Sequence, residues 1–157
     1  MNKNTAIGIR VSPKVVYYSI VNESKSEFEI IIVDKLVVPL ALGLPEQLKY
    51  IRSTFIDILA EFNVKVACLK VTEPFAQSTN SLRIGIEAVI QELMASSTIT
   101  NYFTGQISSI SAKLGFDRNN FNRYKDAEIT FKEIDSWSDF SSDERESLLA
   151  AFSALKL

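Results

Sequence analysis

Nothing in this chain can run imidazole chemistry, because its 157 residues include no histidine. Ser-His-Asp and Cys-His nucleophiles and the usual His-containing zinc sites are therefore excluded. Cys68 is the sole cysteine, so no intrachain disulfide can form. Its flanks, Val66, Ala67 and Leu69, mark it as a small buried apolar residue rather than a reactive thiol. What remains is carboxylate chemistry with or without magnesium, unusual lysine chemistry, or no chemistry.

Seventeen basic and nineteen acidic side chains leave a net charge of −2, which exerts no global pull on a polyanion or an anionic membrane. Arg118, Arg123 and Lys125 come nearest to a basic patch, but Asp117 and Asp126 offset them in a stretch that reads as a polar, exposed loop over 117–126. Tyr17, Tyr18, Tyr50, Phe75, Tyr102, Phe121 and Tyr124 are scattered without accompanying cation clusters, which suits core and rim packing better than base stacking.

The elements that must position any site follow from periodicity. Thr5–Val11, Lys14–Val21 and Phe28–Val38 are β-rich runs separated by hairpin-sized polar breaks, so they should form an antiparallel meander. Pro45–Phe62 repeats apolar residues at helical spacing, with Pro45 suited to the first turn. Lys65–Val71 is then a strand joined to the meander by a long crossover, hence parallel to an earlier strand. A helix over about Ser78–Ala95, a strand over Ile99–Phe103 and a short helix over Gln106–Leu114, stopped by Gly115, come next. Leu148, Leu149, Phe152 and Leu155 give a closing helix, about 142–155, its apolar face. Glu87, one position round from Ile86, Val89 and Ile90, should be exposed.

Length and a 46% hydrophobic content are consistent with one domain over 1–157. No apolar run approaches the length of a membrane span, and the first five residues lack a signal pattern, so a cytoplasmic protein without membrane association is expected.

The order β-β-β-α-β-α-β-α with a terminal helix resembles the RNase H-like superfamily, in the branch of the RuvC Holliday-junction resolvase. Ala6-Ile7-Gly8-Ile9-Arg10 resembles the strand that ends in that family's first acid, and Val66-Ala67-Cys68-Leu69-Lys70 the strand that ends in its second. Asp143-Glu144-Arg145-Glu146 sits where the family has an Asp-x-x-Asp helix. Small bacterial RNase H-like proteins of unknown function are a closer likeness, through Leu69-Lys70, Glu73-Pro74 and Ile86-Glu87-Ala88-Val89-Ile90-Gln91.

The resemblance implies a mixed five-stranded sheet, three strands in a meander plus parallel strands, flanked by helices. It also implies a two-magnesium nuclease site that this chain has altered. Acids survive at Asp143 and Glu146, but Arg10 and Lys70 stand where two carboxylates belong, and neither cation has a lone pair for a metal. The expectation is a degenerate cluster of Arg10, Lys70, Glu73, Asp143 and Glu146 with no catalytic residue, metal or cofactor. In it, Arg10 and Lys70 reach Asp143 and Glu146 in place of the ions.

Each of these residues also has a plainer reading. Arg10 and Lys70 could line a polar sheet edge, Glu73 could be a solvated loop acid, and Asp143 and Glu146 could complement the dipole of a helix capped by Ser141 or Ser142. The functional expectation is a non-enzymatic binding or adaptor protein whose partner is another protein. The rivals are a divergent nuclease using Glu73, Asp143 and Glu146, and a nucleic-acid binder that does not cut.

Overall fold

The computed structural model describes residues 4–76 and 80–157. Three strands open the fold: β1 (Asn4–Val11), β2 (Val15–Ser24) and β3 (Glu27–Val37). They pair as the antiparallel meander that their short connections require, with one irregularity in the β2–β3 register between Ile20 and Val21. Helix α1 (Leu44–Glu61) then carries the chain across the sheet to β4 (Val66–Lys70), and α2 (Ser81–Ser96) carries it on to β5 (Asn101–Gly105). Both crossovers deliver parallel strands, so the described sheet has the order β3-β2-β1-β4-β5. The expected start of α2 at Ser78 lies outside the described residues; the described helix begins after Asn80, whose side chain accepts the Arg83 N–H at 3.0 Å.

Alternation along the strands feeds two cores. Ile7, Ile9, Ala67 and Leu69 face α1 and α2, where Ile51, Phe55, Ile86 and Ile90 meet them. Ala6, Val66 and Cys68 face the other way, toward α3 (Ile107–Leu114), α4 (Arg118–Lys125) and α5 (Ser142–Ala154). Cys68 is fully buried there, and burial pushes its thiol up to about 12.

Two expectations need correction here. Residues 117–126 are not an exposed loop: Arg118–Lys125 form α4, and Asp117 caps its first turn by accepting the Asn119 N–H at 2.8 Å. Phe121 is fully buried, and the Tyr124 ring packs edge-on against Phe131, 5.4 Å between centroids, so one or two anchors dock an otherwise polar helix. Helix α5 is likewise more than a one-sided lid, since every residue from Arg145 to Leu155 is buried. Its inner side lies on β1 and β2, where Ser147 and Ser19 share a hydroxyl hydrogen bond of 2.6 Å. Its outer side is covered by α3, α4 and the aromatic cluster around Phe131 and Trp137.

The charge of Arg145 is accommodated in this burial by backbone oxygens. Its guanidinium donates to Lys125 O at 2.5 Å, to Trp137 O at 3.3 Å and to Phe140 O, tying residues 125–140 to the helix.

Candidate functional site

Strands β1, β3, β4 and β5 all end at the same margin of the sheet, because β3 returns to the direction of β1 and the crossovers keep β4 and β5 parallel to it. At that margin Arg10 is the register partner of Lys70, and Lys70 of Gly105, so the two cations stand side by side on the face that bears α5. A Cβ on Gly105 would lie 2.7 Å from Ile110 and 2.8 Å from Cys68 Sγ, so glycine there lets α3 close over the strand end.

Helix α5 brings its acids to this point by a capping box. Ser141 Oγ accepts the Glu144 N–H at 3.2 Å and the Glu144 carboxylate accepts the Ser141 N–H at 3.0 Å, which fixes the first turn and aims Asp143 and Glu146 at β1. Arg10 Nε then lies 2.6 Å from Glu146 Oε2 and 3.2 Å from Asp143 Oδ1, while Nη1 donates to Val11 O at 2.9 Å. The side chains of Arg10 and Glu146 are only 19% and 10% exposed, so this is a shielded pair rather than a surface one. Burial alone would favour a neutral Arg10, but the charge and hydrogen bond of Glu146, with Asp143 adding, hold its pKa above the ordinary value.

Lys70 takes a different partner from the expected one. Its ammonium, 5% exposed at the side chain, lies 3.1 Å from Glu73 Oε1 and donates to Val71 O at 3.1 Å. Glu73 in turn accepts the N–H of Ile107, first residue of α3, at 2.7 Å. The carboxylate is thus neither a free loop acid nor a third member of the Asp143–Glu146 pair; it is fixed between an ammonium and a helix N-terminus.

Sequence reasoning missed a second buried layer beside these pairs. Glu87, expected to be exposed, is 4% exposed and accepts from Thr72 N at 2.8 Å and Thr72 Oγ at 2.9 Å. Thr72 lies two residues past the end of β4, just after Val71, whose N–H still reaches Gly105 O at 3.0 Å; beyond that the Thr72 N–H needs an acceptor, which α2 supplies. Arg83, one turn earlier on α2, lies 3.4 Å from Glu87 Oε1, and burial, then the charge of Arg10, holds its pKa below the ordinary value. The overlooked signal was the i, i+4 spacing of Arg83 and Glu87, with the acid inside the apolar run around Ile86, Val89 and Ile90. Replacing Glu87 by Leu should cost about 1–3 kcal/mol in urea unfolding, because Thr72 loses its acceptor and Arg83 its counter-charge, and Glu87→Gln should cost less. Equal stability of the Leu variant and the parent would show that this contact does not hold the loop.

The described residues match the structure of Thermus thermophilus RuvC with a TM-score of 0.74 and 11% identity, over 97% of this chain and 93% of that one. The same resolvase in complex with its Holliday junction substrate matches at 0.70 and 12% identity, over 97% and 93% of the two chains. The yeast mitochondrial Holliday junction resolvase Ydc2 matches at 0.58 and 12% identity, over 96% of this chain and 77% of that one. The chain has the RNase H-like fold.

At these identities it is the fold that is shared, in the form seen in RuvC and related resolvases. No protein-family model matches the sequence, and no curated protein matches it significantly. RNase H-like nucleases of the kind the sequence resembles use clustered carboxylates to hold two divalent ions. The residues here do not fit such a centre. Among the described residues no three of Asp, Glu, Cys or His are placed to hold a metal ion, and the pair that comes closest, Asp143 and Glu146, is bridged by a guanidinium that has no lone pair. Also among the described residues, no helix is long and apolar enough to cross a membrane.

Proposed function

We propose that this chain is a catalytically degenerate RuvC/RNase H-like domain that works by binding, as an adaptor to another protein in the cytoplasm, and not by cutting nucleic acid. The observation that carries this reading is the 2.6 Å contact of Arg10 with Glu146, reinforced by Asp143 at 3.2 Å. The two acids that survive at the nuclease positions are committed to an internal cation. A divergent nuclease built on Glu73, Asp143 and Glu146 is disfavoured, because Glu73 is held by Lys70 and Ile107 and the three acids form no common ligand set among the described residues.

One observation favours a second reading, a nucleic-acid binder that does not cleave. T. thermophilus RuvC and the fowlpox virus resolvase, solved with Holliday junction DNA, share the fold, the latter with a TM-score of 0.53 and 16% identity over 95% of each chain. Against it, Arg10 and Lys70 are both neutralised by carboxylates, so neither is free to meet a phosphate.

The purified protein should leave four-way junctions, duplex DNA and RNA–DNA hybrids uncut in Mg²⁺ or Mn²⁺. Cleavage that requires the metal and disappears in Glu146→Ala would overturn the non-catalytic reading. Junction affinity that weakens steeply with added salt would move the assignment to the second reading, since phosphate neutralisation releases counterions.

A further inference from the structure

The two lateral strands of the sheet differ in how much backbone they leave bare. On one side β5 has five residues; on the other β3 has eleven, each of them half-buried or exposed. The inner side of β3 is taken up by β2. Just past the strand, the Val38 N–H donates to Lys14 O at 2.8 Å, and Val37 stands opposite Val15. Antiparallel alternation then turns the backbone of Asp34 and Leu36 toward β2, and that of Val33, Lys35 and Val37 away from it. The Lys35 N–H agrees: it donates not to β2 but to Asp34 Oδ1, at 2.8 Å. Among the described residues no strand lies beyond this outward row.

Donors and acceptors that repeat every two residues, about 7 Å, are matched only by another extended backbone. The side chains beside the row set what that backbone has to carry. Ile32 and Leu36 are partly buried on the face that bears α1, and Asp34 stands between them on the same face. Tyr18, the register partner of Asp34, has its phenol pushed up to about 12, by burial first and then by the charge and hydrogen bond of Asp34, with the charge of Glu61 adding. Two acids therefore gather on this face, while the neighbouring base, Lys35, points to the other. The complement is a strand with a basic side chain between two apolar ones. A second copy of β3 is a poor match: paired about Lys35, the middle of the outward row, it would set lysine against lysine. The register irregularity beyond Ile32 also limits the regular run to a short segment.

We infer that the outer edge of β3, from Ile32 to Val37, docks an extended segment of a partner protein as a sixth strand, with a basic side chain over Asp34 and apolar ones beside Ile32 and Leu36. The inference deepens the adaptor reading and rests on it for there being a partner protein; the observations that carry it are those of β3. The docked strand would lie beside Lys35, which shares a cross-strand row with Tyr17 and Arg10.

The test is amide hydrogen exchange of the full chain, read by NMR, with the end-blocked peptide Thr-Val-Thr-Lys-Thr-Val-Thr as the probe. Two further peptides accompany it, the same sequence N-methylated throughout and one with glutamate in place of lysine. At saturating probe the Val33 and Val37 amides should exchange at least about tenfold more slowly, the N-methylated peptide should protect neither, and the glutamate peptide should bind about fivefold more weakly. Asp34→Asn should abolish the preference for lysine. Val37→Pro, which removes an outward donor and none from the β2 ladder, should weaken the probe about tenfold. Thermal unfolding of both variants should match the parent; if Val37→Pro fails this control, the N-methylated peptide decides on the unaltered protein. Val33 and Val37 amides unchanged at millimolar probe overturn the inference, as does equal binding of the N-methylated peptide, which would place the contact on side chains alone. Protection that grows with protein concentration in the absence of peptide would give the edge to a second copy and equally overturn it. Junction cleavage enters none of these readouts, so this inference and the adaptor reading fail separately.

Discussion

Gly8→Ala should lower stability by about 3 kcal/mol or more, or prevent folding altogether, although it adds a single methyl group. The position is in mid-β1, and a Cβ there would overlap Ser147 O and Ala151 N of α5. Both atoms are helix backbone, so no side chain can rotate away; the whole of α5 has to lift from the sheet. Lifting it would part Ser147 from Ser19 and loosen Leu148, Ala151 and Phe152, all essentially fully buried. The control is Gly85→Ala on α2, where an added Cβ meets nothing within 4 Å and the residue lies inside a helix. There the same substitution should raise stability by about 0.5–1 kcal/mol. Urea unfolding of the two variants against the parent measures both, and a Gly8→Ala protein as stable as the parent would show that the helix does not sit this close to β1.

The second large effect concerns the ion pair. Arg10→Asp removes the counter-charge of Glu146 and Asp143 and adds a third carboxylate, which should cost about 3–5 kcal/mol in metal-free buffer, toward the lower figure because the site is partly open to water. Combining it with Lys70→Glu should place four acids at the ends of β1, β4 and α5. In that double variant Mn²⁺ should raise the unfolding temperature, since an ion bound only by the folded state stabilises it by mass action. The wild type should show no such rise. A wild-type midpoint that climbs with Mn²⁺ would mean that Asp143 and Glu146 release Arg10 for a metal, and the guanidinium would then be an occupant and not a replacement.

Much of the sheet was legible because strands announce themselves by composition and short breaks allow only hairpins. The crossovers were legible because α1 and α2 are long and amphipathic. Helix α4 was not, since Arg118, Asn119, Asn120 and Asn122 are polar and its place depends on the burial of Phe121 and on Tyr124 meeting Phe116 and, later in the chain, Phe131. Glu87 was misjudged because helical periodicity assigns a face but says nothing of Thr72, whose backbone donor is orphaned where β4 stops.

The site divides in the same way. That Arg10 meets Asp143 and Glu146 was visible only through the resemblance, for no local pattern links residues 136 positions apart. Lys70 turned instead to Glu73, three residues away, because the chain folds back at the strand end and the start of α3 holds that carboxylate in reach. Local geometry outcompeted the distant acids.

The contacts that seat α5 also set a kinetic order for the molecule. Ser19 and Ser147 are 128 positions apart, and the strands beneath the helix cannot hide Ala6, Val66 and Cys68 until so long a loop has closed. Long-range closure of this kind slows the search for the native state, while the hairpins of the meander can form early. A half-assembled sheet with one oily side uncovered is therefore the species most exposed to misassociation, and the time it persists is governed by how quickly the helix arrives.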